Sequence, residues 1–212
     1  MRNTFFAVSI AALLFGFSSQ KLTARSQKGS PDEIADQQKS GFVPQKLTPF
    51  ATAVQRPKEW FFWTDDAGGD FTWIISKNKV AEPRPQFEKG VEIKAFYNVS
   101  EKKKKTPEDF ATEYLKTRVE TQDMKVLNRM QGKAGPLSAI TQTIELPKEI
   151  LATDLYWGDG NTLDVVVVVT RKSPKQQWNS TQPIFRNLTR FSLQTIVQGT
   201  REKTPVNDSQ QK

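Results

Sequence analysis

The chain contains neither cysteine nor histidine. Without cysteine there is no disulfide to staple the fold, no thiolate nucleophile and no attachment point for the lipid of a lipoprotein. Without histidine there is no Ser-His-Asp triad, and with both residues missing there is no ordinary zinc site. A Walker-type phosphate loop and a dinucleotide fingerprint are also missing, and Gly68-Gly69 alone is a turn. The chemistry left is that of carboxylates, lysines, serines and tyrosines. A packed domain with no covalent staple must be held by burial alone.

Long apolar runs are rare as well. One occupies residues 5–17 (FFAVSIAALLFGF), just after Arg2, and small or polar residues follow it. A short apolar run behind a positive residue is the build of a secretory signal peptide, too short for a comfortable membrane span. We read residues 1–24 as that signal, with cleavage after Ser18 or Ala24; a retained N-terminal anchor is the other reading. The expected location is therefore outside the cytoplasm, periplasmic or extracellular, or the thylakoid lumen if the source is photosynthetic. Residues 25–50 are rich in Gln, Ser, Lys, Pro and Asp and read as a flexible linker. A single domain is expected over 51–198, and the polar stretch 199–212 reads as a disordered tail.

Within the domain, five consecutive valines stand out at 165–169. Val165, Val167 and Val169 point one way along a strand, and Val166 and Val168 the other. A strand apolar on both faces needs cover on both sides, so it belongs in the middle of a sheet with helices on each face. Residues 59–76 read as an aromatic hairpin turning at Asp65-Asp66-Ala67-Gly68-Gly69-Asp70. Residues 91–99 alternate as a half-buried strand. Thr106-Pro107-Glu108-Asp109 is a strong helix start: a capping hydroxyl, a proline suited to the first turn, and two acids at the positive end of the dipole. Phe110, Ala111, Tyr114, Leu115 and Val119 then give that helix one apolar face. Strands are expected at 125–130, 139–146 and 153–157, with a turn at Gly132 and Gly135-Pro136. Gly158-Asp159-Gly160-Asn161 forms a hairpin turn into the valine strand. A second helix is expected to start at Thr181 or Gln182 before Pro183 and to run to about Val197.

The sum is α/β of the α+β type: a three-layer α/β/α sandwich with a mostly antiparallel sheet of about seven strands and two main helices. In this order of elements the chain resembles the PsbP/Mog1-like sandwich. The residues that carry the resemblance are Thr106-Pro107-Glu108-Asp109-Phe110, the strand Asp154-Leu155-Tyr156-Trp157, the hairpin into the valine run, and the segment 173–178 before a closing helix. It covers about residues 58–198. The resemblance implies a non-catalytic binding or assembly factor. Metal binding through histidine, as in PsbP-like proteins, cannot transfer to a chain without histidine.

Lysine and arginine total 31 against 23 aspartates and glutamates, a formal charge of +8 that suits anionic partners. The sharpest charge feature is the run Lys102, Lys103, Lys104 and Lys105, expected in a loop before the first helix. As a site it would contact a protein or an anionic envelope or membrane surface; as a plain loop it would be solvated. Export takes the chain away from most nucleic acid, so nucleic acid is not expected as a partner, and neither is a cofactor or a metal. Asp65, Asp66 and Asp70 invite a calcium reading, but turns collect aspartate in any case; Asp159, Asn161 and Asp164 read the same way. Trp60, Trp63 and Trp73 could form a sugar platform if exposed side by side, and otherwise belong to a core. The function expected is an exported, monomeric, non-catalytic domain acting on an envelope or membrane-associated partner. The alternative is a small hydrolase or lyase using paired carboxylates in a cleft.

Overall fold

A computed structural model describes residues 41–80, 86–119 and 124–199, with the side chains of Arg118 and Val119 left aside. The expected signal at 1–24, most of the linker and the tail from residue 200 lie outside the described residues. Among the described residues, no helix is long and apolar enough to cross a membrane.

Nine strands are described: β1 (Phe42–Lys46), β2 (Ala53–Pro57), β3 (Phe61–Asp65), β4 (Phe71–Ser76), β5 (Gly90–Tyr97), β6 (Lys125–Ala134), β7 (Leu137–Glu145), β8 (Glu149–Trp157) and β9 (Val165–Pro174). Four α-helices accompany them: α1 (Val99–Lys103), α2 (Pro107–Val119), α3 (Trp178–Leu188) and α4 (Leu193–Val197). Seven strands form one sheet in the order β3-β4-β5-β9-β8-β7-β6. Every neighbouring pair is antiparallel.

The valine strand β9 lies at the centre, as its two apolar faces require. Val165, Val167 and Val169 pack with Phe185 and Leu188 of α3 and Ile196 of α4. Val166 and Val168 pack on the opposite face with Ala111 and Leu115 of α2 and Leu155 of β8. All five valines are buried, and burial of each is worth about 1.5 kcal/mol or more. The alternation read from sequence thus becomes two hydrophobic cores, one on either side of the sheet.

Several boundaries differ from expectation. The stretch assigned to a linker already belongs to the fold by residue 42: β1 pairs with β2, and Leu47 and Phe50 are buried. The Phe50 ring lies 5.0 Å from Phe71 and 5.7 Å from Trp73, and the Trp73 indole N–H donates to the Thr48 carbonyl at 2.9 Å. Pro44 and Pro49 and the polar residues between the apolar ones hide this segment from a composition reading. Strand β5 is covered on both faces, because Glu92 is buried too and pairs with Lys94 at 3.0 Å. Gly132 lies inside β6, which continues to a turn at Gly135-Pro136; Gly135 supplies the positive φ of 62° that the turn needs. Finally, the closing helix is two. It begins at Trp178 with Pro183 inside it, and a new start at Ser192, whose hydroxyl accepts the Thr195 N–H at 3.1 Å, opens α4.

Candidate functional site

The four lysines singled out by sequence sit at one corner of the sandwich, set by two left-handed residues and two side-chain caps. Asn98, in the left-handed region at φ 54°, turns the chain out of β5. Asp164, in the approach to β9, then caps α1: its carboxylate accepts the Ser100 N–H at 3.0 Å and the Ser100 hydroxyl at 3.0 Å. Lys104 ends α1 in a second left-handed conformation, and Thr106 caps α2 by accepting the Asp109 N–H at 3.1 Å. The lysines are therefore not a floppy loop. Lys102 and Lys103 belong to a short helix, and Lys104 and Lys105 form the bend between two helices.

This geometry brings the lysines to acids. Lys102 Nζ lies 3.1 Å from Asp70 Oδ1 and donates to the Gly68 carbonyl at 2.8 Å. Lys103 Nζ lies 3.0 Å from Asp70 Oδ2 and 5.7 Å over the centre of the Phe96 ring, which adds a cation–π contact. Lys105 pairs with Glu113, nearly two turns into α2. Only Lys104 of the four is exposed with no ion pair among the described residues. Asp70, one of the three aspartates of the calcium reading, is thus engaged by two ammonium groups. Among the described residues no group of three or more acids is placed to hold a metal ion.

The other acidic turn is also structural. The Asp159 carboxylate accepts the N–H groups of Thr162 at 2.8 Å, Asn161 at 3.0 Å and Leu163 at 3.1 Å, and the Thr162 hydroxyl at 2.9 Å. These donors, the Thr162 N–H first, hold its carboxyl down at about 2. Gly158 is required beside it, because a Cβ there would lie 1.9 Å from the Leu163 carbonyl oxygen. Of the tryptophans, Trp60 and Trp73 are buried and Trp63 is half-buried on β3, so no side-by-side platform forms in the first hairpin.

The cavities among the described residues include four. One of about 310 Å³ lies on the lysine corner itself, against Lys103, Lys105, Phe110 and Glu113. One of about 470 Å³ lies beside the lysine corner, against Phe50, Phe71, Tyr97 and Lys102. One of about 450 Å³ is apolar, between the β6–β7 turn and α4, against Pro136, Leu137, Leu163 and Val197. One of about 250 Å³ lies between α2 and the strands β6 to β8, with Glu108, Arg129, Gln131 and Trp157 in its wall. No more than one carboxylate lines any of them, so none presents the acid pair that carboxylate hydrolysis needs.

Sequence reasoning expected a strand at 125–130, and the structure extends it to Lys125–Ala134, but its surface was not singled out. All residues from Lys125 to Lys133 are exposed, and Ala134 is half-buried. Four large apolar residues of the described chain are exposed: Phe61 at 46%, Val126 at 47%, Leu127 at 43% and Met130 at 58%; three of the four lie on this strand. Among the described residues it is an edge, bonded to β7 alone. Lys125 stands opposite Glu145, whose carboxyl is held below its usual range chiefly by its bond with Lys175. Arg129 and Lys133 have no ion pair among the described residues. The signal available in sequence was the absence of acids from 125–134.

No protein-family model matches the chain, and no curated protein matches it. Among solved structures, it is similar to the solution structure of cyanobacterial PsbP (CyanoP) from Synechocystis sp. PCC 6803, with 10% identity and a TM-score of 0.46, covering 71% of this chain and 91% of that one. It is also similar to the Ran-binding protein Mog1p of Saccharomyces cerevisiae, with 12% identity and a TM-score of 0.45, covering 74% of this chain and 97% of that one. Both neighbours have the PsbP/Mog1 fold, the group that the sequence resembles.

Proposed function

We propose that the chain is an exported, non-catalytic binding module that engages a protein partner at the cell envelope or a membrane surface along the β6 side of its sheet. One observation carries the reading: a ten-residue strand whose side chains contribute nothing to either core holds three of the four exposed large apolar residues among the described residues. Folding gains little from such a strand, and exposed apolar area concentrated in one place marks an interaction surface. The lysine corner has a smaller part. Three of its charges are answered within the molecule, which leaves Lys104 as its available cation. Export rests on the apolar run at 5–17 behind Arg2.

The test is site-specific photocrosslinking of the full chain in a native membrane fraction. A benzophenone side chain replaces Met130 in one variant and Lys104 in another. A discrete adduct from position 130, absent from position 104, is the expected result. An adduct from 104 alone moves the site to the lysine corner, and no adduct from either position overturns the reading.

A further inference from the structure

We infer that β6 takes up an extended acidic segment of a protein partner as an eighth strand of the main sheet. The inference rests on the β6 reading above and names the partner's chemistry. An edge strand directs the N–H and C=O groups of alternate residues away from the sheet, a template for another chain. The two edges of this sheet are unequal. β3 has five residues. β6 has ten, and from Asn128 to Ala134 its register with β7 runs without interruption. A register shift between Val126 and Asn128 breaks the ladder at the other end, so the usable template is this regular stretch. It contains no proline, and among the described residues nothing pairs with its outer side.

Charge decides the occupant. Arg129 and Lys133 stand four residues apart and point to the same face, across from Gln142 and Ser138 of β7. There is no acid anywhere in β6. A symmetric antiparallel pairing of two copies centred on Gln131 would set Arg129 of each against Lys133 of the other, and like charges directly opposite are unfavourable. The whole chain, at +8, adds to that repulsion. The same two cations favour a strand with acids at positions i and i+4. Met130, which lies between them in sequence, offers an apolar contact on the opposite face. The backbone ladder would supply affinity, and the two cations would supply register and selectivity.

The probe is a synthetic octapeptide, acetyl-Thr-Glu-Val-Thr-Val-Glu-Val-Thr-amide, titrated into the full chain with amide NMR as readout. In the protein alone, the outward amides of residues 128–133 are expected to exchange freely. Protection that survives dilution would mean that another part of this chain already fills the edge; protection lost on dilution would mean a second copy; either overturns the inference. With peptide, half of the 128–133 amides, in alternation, are expected to become protected. A peptide with lysine in place of both glutamates is expected to bind at least tenfold more weakly. The double variant Arg129→Glu, Lys133→Glu is expected to reverse that preference, which also shows that the variant is folded. Two further peptides carry N-methyl groups on one or the other alternate set of amides. Strand addition requires that one of them fails and the other binds. Equal binding by both overturns strand addition while leaving β6 as a charged docking surface, and failure of the acidic peptide to exceed the lysine peptide overturns the acidic partner. An absent crosslink from position 130 in the membrane fraction is a separate result and removes the surface itself.

Discussion

Two basic stretches of this molecule handle their charge in opposite ways. At the corner, four consecutive lysines meet Asp70 and Glu113, and only Lys104 is left exposed and unpaired among the described residues. On β6 the cations are fewer and spaced out, yet Arg129 and Lys133 are exposed and have no ion pair among the described residues. The denser run is thus the more neutralised one. What makes the difference is neighbourhood in space: Asp70 comes from the turn of the first hairpin and reaches both Lys102 and Lys103, whereas among the described residues β6 has a single neighbouring strand. The charge a sequence carries and the charge it can offer a partner are separate quantities.

The comparison can be broken at four points. The largest effect is expected from the ring beneath the corner. Phe96 packs edge-on against Phe110 at 5.0 Å and sits under Lys103. Phe96→Ala should cost about 2 kcal/mol in urea unfolding, less than for a fully buried ring, while Met130→Ala on β6 should stay within about 0.5 kcal/mol. A similar loss from both would mean that β6 contributes to the fold as the corner does.

Next comes the charge reversal Arg129→Glu with Lys133→Glu. It should reduce the crosslink yield from position 130 about tenfold, equivalent to about 1.4 kcal/mol, whereas Lys104→Gln should leave that yield within about twofold. A third and smaller effect is expected of Asp70→Asn, which frees two lysines. These partly exposed pairs should contribute about 1 kcal/mol to stability in low salt, and most of that difference should vanish at 1 M salt, where screening acts over about 3 Å.

The smallest effect belongs to Asp159, which is answered by backbone N–H groups in place of lysines. Its carboxyl lies at about 2, below an ordinary value of 3.8. The stabilisation is therefore present in full above about pH 4 and is lost as pH falls through about 2. The stability gap between wild type and Asp159→Asn, followed by acid titration, should close over that window. It should also depend on salt less than the gap of Asp70→Asn.

Much of the architecture was legible in advance. Five valines without a polar face dictated a central strand, and Thr106 with Pro107 and two acids marked the start of α2 to the residue. The Gly158-to-Asn161 turn was visible because few residue types tolerate so close a backbone approach. Other features depend on partners that sequence proximity does not reveal. Phe50 is core only because Phe71, Trp73 and Tyr97 come to meet it. Pro183 reads as a helix start, yet the helix forms around it because Phe185 and Leu188 are drawn into the core. The lysine run drew attention as a site because its acids lay elsewhere in the chain. Val126, Leu127 and Met130 were expected to be ordinary strand residues, since apolar character is the same letter whether it faces a core or water.

One consequence follows from the strand order. The sheet is two meanders, β3-β4-β5 and β6-β7-β8-β9, and they meet along a single seam between β5 and β9. Each meander can assemble from local hairpins, but the seam joins Tyr97 to Val165 and Gly90 to Lys172, so its contacts come only after a long loop has been closed. The valines of β9 sit on that seam. They should set the rate at which this protein folds as well as how stable it is, and truncating Val167 should slow refolding more than truncating Ile140, whose contacts lie within one meander and its helix.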